Sequence, residues 1–544
     1  MANSKQLRGI RQNVRFQSLT QNVGGLIKNR ADRFLPPSAA VTIENMHATS
    51  EGSWTARNVG YENMNGTAYQ SGATMTGLIW FTDSSLVDHL LATANGKLIE
   101  INTSTFAETV QDASAGVSTS SITDMVQYGN KVYMVDGAIA TPRTWDGTTA
   151  ANSGGWPVNA LYDTPKLVEV HNGRLAYANF DTYPSHVALS DITDGETFTI
   201  PAVAASDAAV IEVSPGDGQT ITGMKSVFVP QTNDTFLVIT KQRSTYVMTG
   251  QSALPDDPDP FTVILANANY GCVNNQSIVQ VGNDILMLGE LPGGGFGILS
   301  YSTAMQNGTL QPSLIGSDVI RPILSTINRN AVDKSYAVHF PSRREVVFGI
   351  PVGASSTVNR WLVYKYSAAQ DDTPKWSIRT GIVHPCGLVY KDTIYFGTTN
   401  GYLSEWFKTS TANGTGIAFT YEYPYMVIGT EGQYKRVTTA WAHFKTPVNI
   451  NVSITSEWLG GGNNNVKTVS VPLGSSVTES LYGTAVYGTG YYGEVVERKR
   501  QFKVFGNGER LKVKIQGTTT SNGGPEFLGV TAHVEYGGTS HHYN

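Results

Sequence analysis

LVEVHNGRLAYANFDTYPSHVALSDITDGETF, residues Leu167–Phe198, sets the pattern for most of the chain. Its first half, Leu167–Asn179, is an apolar alternation broken once, at His171-Asn172-Gly173-Arg174. Asn-Gly between two alternating runs predicts a tight hairpin, because both central positions of that turn want φ > 0. Val187–Ser190 predicts another short strand, closed by Asp191 and by Asp194-Gly195. A few antiparallel strands with polar turns cannot bury an apolar face alone. The unit therefore requires neighbours of its own kind.

Such neighbours recur. Leu90–Phe106 turns at Asn95-Gly96, Val126–Asp146 at Gly129-Asn130, Ile221–Gly250 at Asn233-Asp234 and Ser277–Ser300 at Gly282-Asn283. Tyr336–Tyr366 follows, and then Gly387–Phe407 with Lys391-Asp392 at its turn. Turn centres fall roughly 35–60 residues apart, near the period of propeller repeats. No WD or kelch signature accompanies the repeat. A large sandwich or an irregular β-solenoid is the alternative architecture.

Composition agrees with an all-β chain. Charged residues are only 15% of the 544, while Gly (56) and Tyr (26) are abundant, and the Gly and Asn-Gly punctuation is too dense for sustained helix. This length exceeds one ordinary core, so roughly two or three domains are expected. The net charge of −5 neither favours nor excludes a nucleic-acid partner. Cys272 and Cys386 read as two lone buried thiols, with a disulfide between them as the alternative. The start, MANSKQLRGIRQ, has no apolar segment of the signal-peptide kind, and no run of about 18 apolar residues predicts a membrane span.

Three regions follow. Residues 1–65 form an N-terminal arm and first strands, 66–410 a β-propeller-like domain, and 411–544 a C-terminal β-sandwich. In residues 1–33, Lys5, Arg8, Arg11, Arg15, Lys28, Arg30 and Arg33 oppose only Asp32, leaving about +6 there and about −11 in the remainder. A segment so poor in apolar residues needs a partner surface, and the acidic body of a neighbouring copy is one candidate. Phe34-Leu35-Pro36-Pro37 breaks the chain. Val41–Ile43 and Trp54–Val59 then predict strands, with a turn at Glu51-Gly52. Beyond residue 411, the stretches Phe419–Ile428, Arg436–Lys445, Val448–Trp458, Arg500–Phe505, Leu511–Gln516 and Phe527–Tyr536 read as a sandwich with one wet face. Leu511, Val513 and Ile515 share one face of their strand, and Arg510, Lys512 and Lys514 the other.

Candidate chemistry is thin. Gly488-Thr489-Gly490-Tyr491-Tyr492-Gly493 matches G-x-G-x-x-G but has no amphipathic helix after it. Ser190–Phe198 approaches the Asp-box of sialidase propellers, but its glycine comes one place early and its serine is missing. His384-Pro385-Cys386 places a base and a thiol on one strand face, with no acid to orient them. Pro255–Pro260 is a stiff acidic loop without EF-hand spacing. Pro292–Gly297 reads as a hairpin tip, and His541-His542 is the only adjacent histidine pair. Arg498, Lys499, Arg500 and Lys503 could meet phosphates, as could the Arg510/Lys512/Lys514 face, but a solvated face or a subunit contact is the plainer reading. No residue takes a catalytic role, and nothing requires a metal or cofactor.

Several stretches resemble the tail nozzle (tubular, packaged-DNA-stabilising) proteins of short-tailed bacteriophages. Leu35–Ala40 leading to Asn45-Met46, then Ser53–Gly60 with Arg57 and Gly60, is similar to that family's N-terminal pattern, although the family often sets the arginine and glycine closer. His171–Leu175 with Leu189–Asp191 resembles its central blade, Gly271–Leu288 its next one, and Arg498–Gly508 with Phe527–Val530 its closing sandwich. The resemblance implies a non-enzymatic virion protein in the tail, assembled as a homo-hexameric tube below the portal–adaptor ring. Tail fibres or spikes would attach outside, and phage DNA would pass through the lumen without sequence specificity. A net-negative wall suits such a lumen, because cationic walls would retain phosphates. The basic arm then reads as an assembly device. The alternative function is a carbohydrate-binding or glycan-cleaving propeller, which a pair of carboxylates in a central pocket would favour.

Overall fold

Among the described residues, seven antiparallel runs of strands begin at Met75, Asp124, Leu167, Ile221, Ile278, Tyr336 and Cys386; the first five are separate four-stranded sheets and the last two are parts of larger sheets. The structure is a computed structural model that describes residues 15–21, 24–49, 52–156, 162–229, 234–302, 312–366, 375–428, 435–445, 450–460, 466–473, 479–480, 491–492 and 497–536. It divides into two units. One comprises residues 62–372 and 379–406, and the other 1–61, 373–378 and 407–544.

The first unit is a seven-bladed β-propeller. Its first strands lie side by side around a ring, with Cys386–Tyr390 of the seventh blade against Met75–Thr82 of the first. Between the fourth and fifth blades the short helical turn Asn275–Ser277 fills the gap. A closed ring rules out the large sandwich and the solenoid. Each of the seven stretches singled out in the sequence falls in a separate blade. The turns form as the residue types demand: Asn172 and Gly173 have φ of 47° and 70°, and Asn95 and Gly96 of 52° and 74°. At Gly129-Asn130 and Gly282-Asn283 only the glycine takes positive φ, the other two-residue hairpin type. Pro292–Gly297 does form a hairpin tip, joining Asp284–Glu290 to Phe296–Ser302.

Apolar residues from facing blades fill the spaces between sheets. Leu175, Tyr177 and Ala188 of the third blade meet Tyr133 and Val135 of the second, and Ala176, Val187 and Leu189 on the opposite face meet Met224, Leu237 and Ile239 of the fourth. Strands covered on both faces explain why Arg174–Ala178 is buried at every position. The ring is closed by a strand from far upstream. Leu403–Trp406 pairs with Tyr61–Asn63, and the Met64 N–H donates to the Leu403 carbonyl at 2.8 Å.

The second unit is a β-sandwich built from both ends of the chain. One sheet holds His47–Ala48, Trp54–Thr55, Arg15–Gln21, Glu526–Tyr536, Lys435–Lys445 and Glu497–Phe502. The other holds Thr42–Glu44, Ala418–Glu422, Met426–Val427, Arg510–Thr518, Asn451–Leu459 and Val466–Pro472. Val452, Ile454 and Trp458 alternate with exposed or half-buried neighbours, as do Leu511, Val513 and Ile515. Phe444, Phe527 and Val534 of the first sheet are buried too, and the rings of Tyr421 and Phe527 lie 5.3 Å apart between the sheets.

The first strands belong with the C-terminal residues in one unit rather than forming a region of their own. The strand expected over Trp54–Val59 stops at Thr55: Asn58 turns the chain with φ of 50°, and Arg57 lies exposed on that turn.

Candidate functional site

The first strands of the blades place their starts around the propeller axis, and polar residues gather there. Asp124 opens the first strand of the second blade, Glu169 lies in that of the third, and Lys225 in that of the fourth. Asn275 and Gln276 come from the helical turn before the fifth, which Asn274 caps by accepting the Ser277 N–H at 2.9 Å. These side chains border a cavity of about 210 Å³, also lined by Gly77, Ala337 and Cys386. A second cavity of about 500 Å³ shares Asp124, Asn275 and Gln276, and adds Ser120, Asp136, Lys166, Asp333 and Lys334.

Asp124 is the hub. Its Oδ2 accepts the Val168 N–H at 3.0 Å and the Asn275 amide at 2.9 Å, and its Oδ1 accepts the Gln276 amide at 3.0 Å. One carboxylate thereby ties together three blades. Burial pushes its pKa up to about 7, against the pull of those donors and of Lys225. Glu169 is held by Lys225, whose ammonium lies 3.1 and 3.0 Å from its two oxygens. Two carboxylates, one of them near neutrality, do meet in a central pocket, the condition set for glycan cleavage. Both are occupied, one by three amide donors and the other by a lysine. As they stand, they fasten blades together.

None of these five residues stood out as a site in the sequence, because they converge from positions tens to over a hundred residues apart. The available signal was positional: each lies at or just before the first strand of a repeat.

The pairs that did stand out come apart. His384 Nε2 meets Ser404 Oγ at 3.3 Å and the Trp406 indole N–H at 3.4 Å. Cys386 Sγ points to the Met75 carbonyl, 3.5 Å away. Burial lowers the pKa of His384 to about 3 and raises that of Cys386 to about 12, so neither suits proton transfer near neutrality. Cys272, raised to about 11 by burial, is likewise a buried free thiol, as expected. In Ser190–Phe198, Asp194 closes its own turn by accepting the Glu196 N–H at 2.9 Å and the Thr197 hydroxyl at 2.8 Å. Among the described residues, no group of three or more His, Cys, Asp or Glu could hold a metal. Gly488, Gly490, Gly493 and His541-His542 lie outside the described residues, as do Lys5, Arg8 and Arg11.

Arg174 is buried; Asp191 and Asp207 favour its charge, but among the described residues its hydrogen bonds go to carbonyls. Its guanidinium donates to the carbonyls of Ser190, Ala205, Ser206, Asp207 and Gln251, at 2.6 to 3.4 Å. It thus pins the 191–208 loop of the third blade to the start of the 250–261 loop of the fourth.

In the sandwich unit Lys28 is half-buried and engaged by its neighbours, whereas Arg30 and Arg33 are exposed. Leu26 is buried, and its N–H donates to the Trp376 carbonyl at 3.1 Å. Lys28 donates to Thr42 Oγ1 at 3.1 Å, which donates on to Glu422 at 2.9 Å. Lys512 bridges Asp32 and Glu422, each at 2.6 Å. Burial works against its ammonium, but those two carboxylates outweigh it and raise its pKa above the ordinary lysine value. Arg510 donates to the Arg33 carbonyl, while the Arg30 and Arg33 side chains are exposed. On the Arg510/Lys512/Lys514 face, Lys512 is thus held by Asp32 and Glu422 and Arg510 by the Arg33 carbonyl, and all three residues are half-buried. Arg15 begins the strand paired with Gly529–Val534. Lys499 lies over the Trp441 ring at 4.6 Å, and Arg500 donates to the Leu473 carbonyl at 2.9 Å.

A scan against protein-family models finds no match, and a search of curated proteins finds none. Among solved structures the chain is similar to the Pan2 WD40 domain of Neurospora crassa, with 7% identity and a TM-score of 0.38 over 66% of this chain and 97% of that one. It is also similar to the Toxoplasma gondii coronin WD40 domain, with 11% identity and a TM-score of 0.36 over 67% and 86%. A third likeness is to the Cps50 beta-propeller domain of Myceliophteria thermophila, with 10% identity and a TM-score of 0.38 over 64% and 100%.

Proposed function

We propose that this chain is a structural virion protein of the bacteriophage tail, a homo-hexameric nozzle below the portal–adaptor ring. It would retain and conduct phage DNA without sequence specificity and carry fibres or spikes outside. The observation that supports this reading is the way the chain is divided. A propeller is inserted in sequence between the two halves of a sandwich, and the cationic first 14 residues continue directly from the edge strand Arg15–Gln21. An arm that leaves from a sheet edge is well placed to reach a neighbouring copy, and repeated head-to-tail contacts close a ring. Asp124, Glu169, Lys225, Asn275 and Gln276 line an axial cavity of about 210 Å³, far narrower than a duplex, so the DNA path in this reading is a lumen between subunits.

Negative-stain averaging and light scattering of the purified chain, alone and with the adaptor ring, test the proposal. A six-fold ring or tube is expected. A chain that stays monomeric in both settings would overturn it.

The glycan reading keeps one observation in its favour, the Asp124/Glu169 pair at the axis. It requires hydrolysis or binding of a glycan that Asp124→Asn or Glu169→Gln abolishes.

A further inference from the structure

The rim shared by the third and fourth blades carries an apolar edge beside unpaired carboxylates. Thr262–Asn267 is the outermost strand of the fourth blade, and among the described residues no strand pairs with its outer edge. Ile264 and Leu265 are 55% and 51% exposed there, although they point to opposite faces. Natural edge strands are usually blunted by lysine, proline or an inward charge. This one, TVILAN, contains none of these, and its one irregularity is a bulge between Leu265 and Asn267 at its end, which leaves Thr262–Leu265 regular.

Two loops extend the surface. Val203, on the third blade, is 80% exposed, and its loop is joined to the fourth blade by the Ala253 N–H donating to the Ala205 carbonyl at 3.1 Å. Arg174 braces both loops from beneath. Pro255-Asp256-Asp257-Pro258-Asp259-Pro260 leads into the edge strand, stiffened by three prolines. Asp257 accepts the Ser252 hydroxyl at 2.9 Å, whereas Asp256 and Asp259 are exposed and, among the described residues, have no ion-pair partner.

We infer that this rim receives the first 14 residues of a second copy of the chain, added along the Thr262–Asn267 edge with their cations against Asp256 and Asp259. Charge and polarity select that occupant. MANSKQLRGIRQNV holds Lys5, Arg8 and Arg11, the apolar Leu7, Ile10 and Val14, and no acid. Main-chain pairing along an exposed edge supplies affinity, and flanking charges fix register. The inference rests on the self-assembly reading and names the surface it uses.

The test is a labelled peptide of residues 1–14 titrated by anisotropy into a chain lacking residues 2–14. Saturable binding is expected. It should weaken about tenfold in the double variant Asp256→Asn/Asp259→Asn, and disappear for a peptide with Lys5, Arg8 and Arg11 changed to Glu. A Leu265→Lys chain, changed at the edge and not in the acidic loop, should also lose binding. Matching thermal melts of the three chains would exclude misfolding. Absence of binding, or equal binding by all three chains, overturns the inference. If the full chain still forms rings in that case, the self-assembly reading stands without it. Mixing the chain lacking residues 2–14 with full-length Asp256→Asn/Asp259→Asn separates trans from cis docking. Trans docking gives a mixed pair by light scattering, and its absence would mean that the arm does not serve a second copy.

Discussion

Arg174 shows how little of a residue's role its sequence context reveals. The Asn172-Gly173 turn beside it is legible from residue type alone, because few other pairs tolerate two positive φ values in succession. That the next side chain gathers five carbonyls from two blades depends on loops that meet only after folding. Arg174→Ala would remove a donor from all five carbonyls, with Ala205 and Ser206 keeping only the N–H groups of Ala253 and Ile192, and should cost about 3 kcal/mol in urea unfolding. Arg174→Lys should recover little of it, since three donors at one point do not replace a planar fork. A lysine variant as stable as the parent would refute that account. Asp124 gives a second prediction. Its pKa of about 7 in the fold exceeds its ordinary 3.8, so as pH rises from about 4 to about 7 the unfolded chain holds an ionised Asp124 while the fold still prefers the proton, and stability falls. His171 and His384, lowered by burial to about 4 and about 3, act in the opposite sense, since acidification below about 6.5 protonates them first in the unfolded chain. The two trends oppose each other between about pH 4 and about pH 6.5. Asp124→Asn removes the compensating one, so its Tm should drop more steeply than the parent's between about pH 7 and about pH 4.5. Parallel Tm profiles would show that Asp124 does not take up a proton in that range.

Blades were legible as elements because their information is local. Alternation, a two-residue turn and alternation again can be read within about 15 residues. The closing strand of the seventh blade could not be read in this way. Tyr61–Asn63 is too short to signal a strand by periodicity, and its partner lies some 340 residues downstream. Asn65 secures the closure: its Oδ1 accepts the Leu403 N–H at 2.9 Å, and its amide donates to the Gly401 carbonyl at 3.1 Å and the Thr67 carbonyl at 2.7 Å. Asn65→Ala should cost about 2 kcal/mol. Hydrogen exchange should rise first in Cys386–Trp406, because a ring opens most easily where its ends meet. Uniform acceleration over all seven blades would mean that the closure is no weaker than the rest.

At the scale of the molecule, one stretch near the start of the chain serves both units. Thr42–Glu44 and Trp54–Thr55 are strands of the sandwich, and the residues that follow complete the propeller. Composition and repeat spacing suggested a separate N-terminal region because its charge differs from the rest, yet charge reports on what a surface meets and not on which sheet a strand joins. Long-range pairing of this kind costs loop entropy before it gains any burial, and it makes folding of the two units depend on a single segment. Two truncations then separate folding from assembly. A chain starting at residue 15 keeps every strand described in both units, and should melt like the parent by calorimetry. A chain starting at residue 66 lacks four sandwich strands, Arg15–Gln21, Thr42–Glu44, His47–Ala48 and Trp54–Thr55, as well as the propeller's closing strand, and should lose the cooperative transitions of both units together. If instead the propeller's transition survived that second truncation, the seventh blade would be stable with three strands and Tyr61–Asn63 would be an ornament on it.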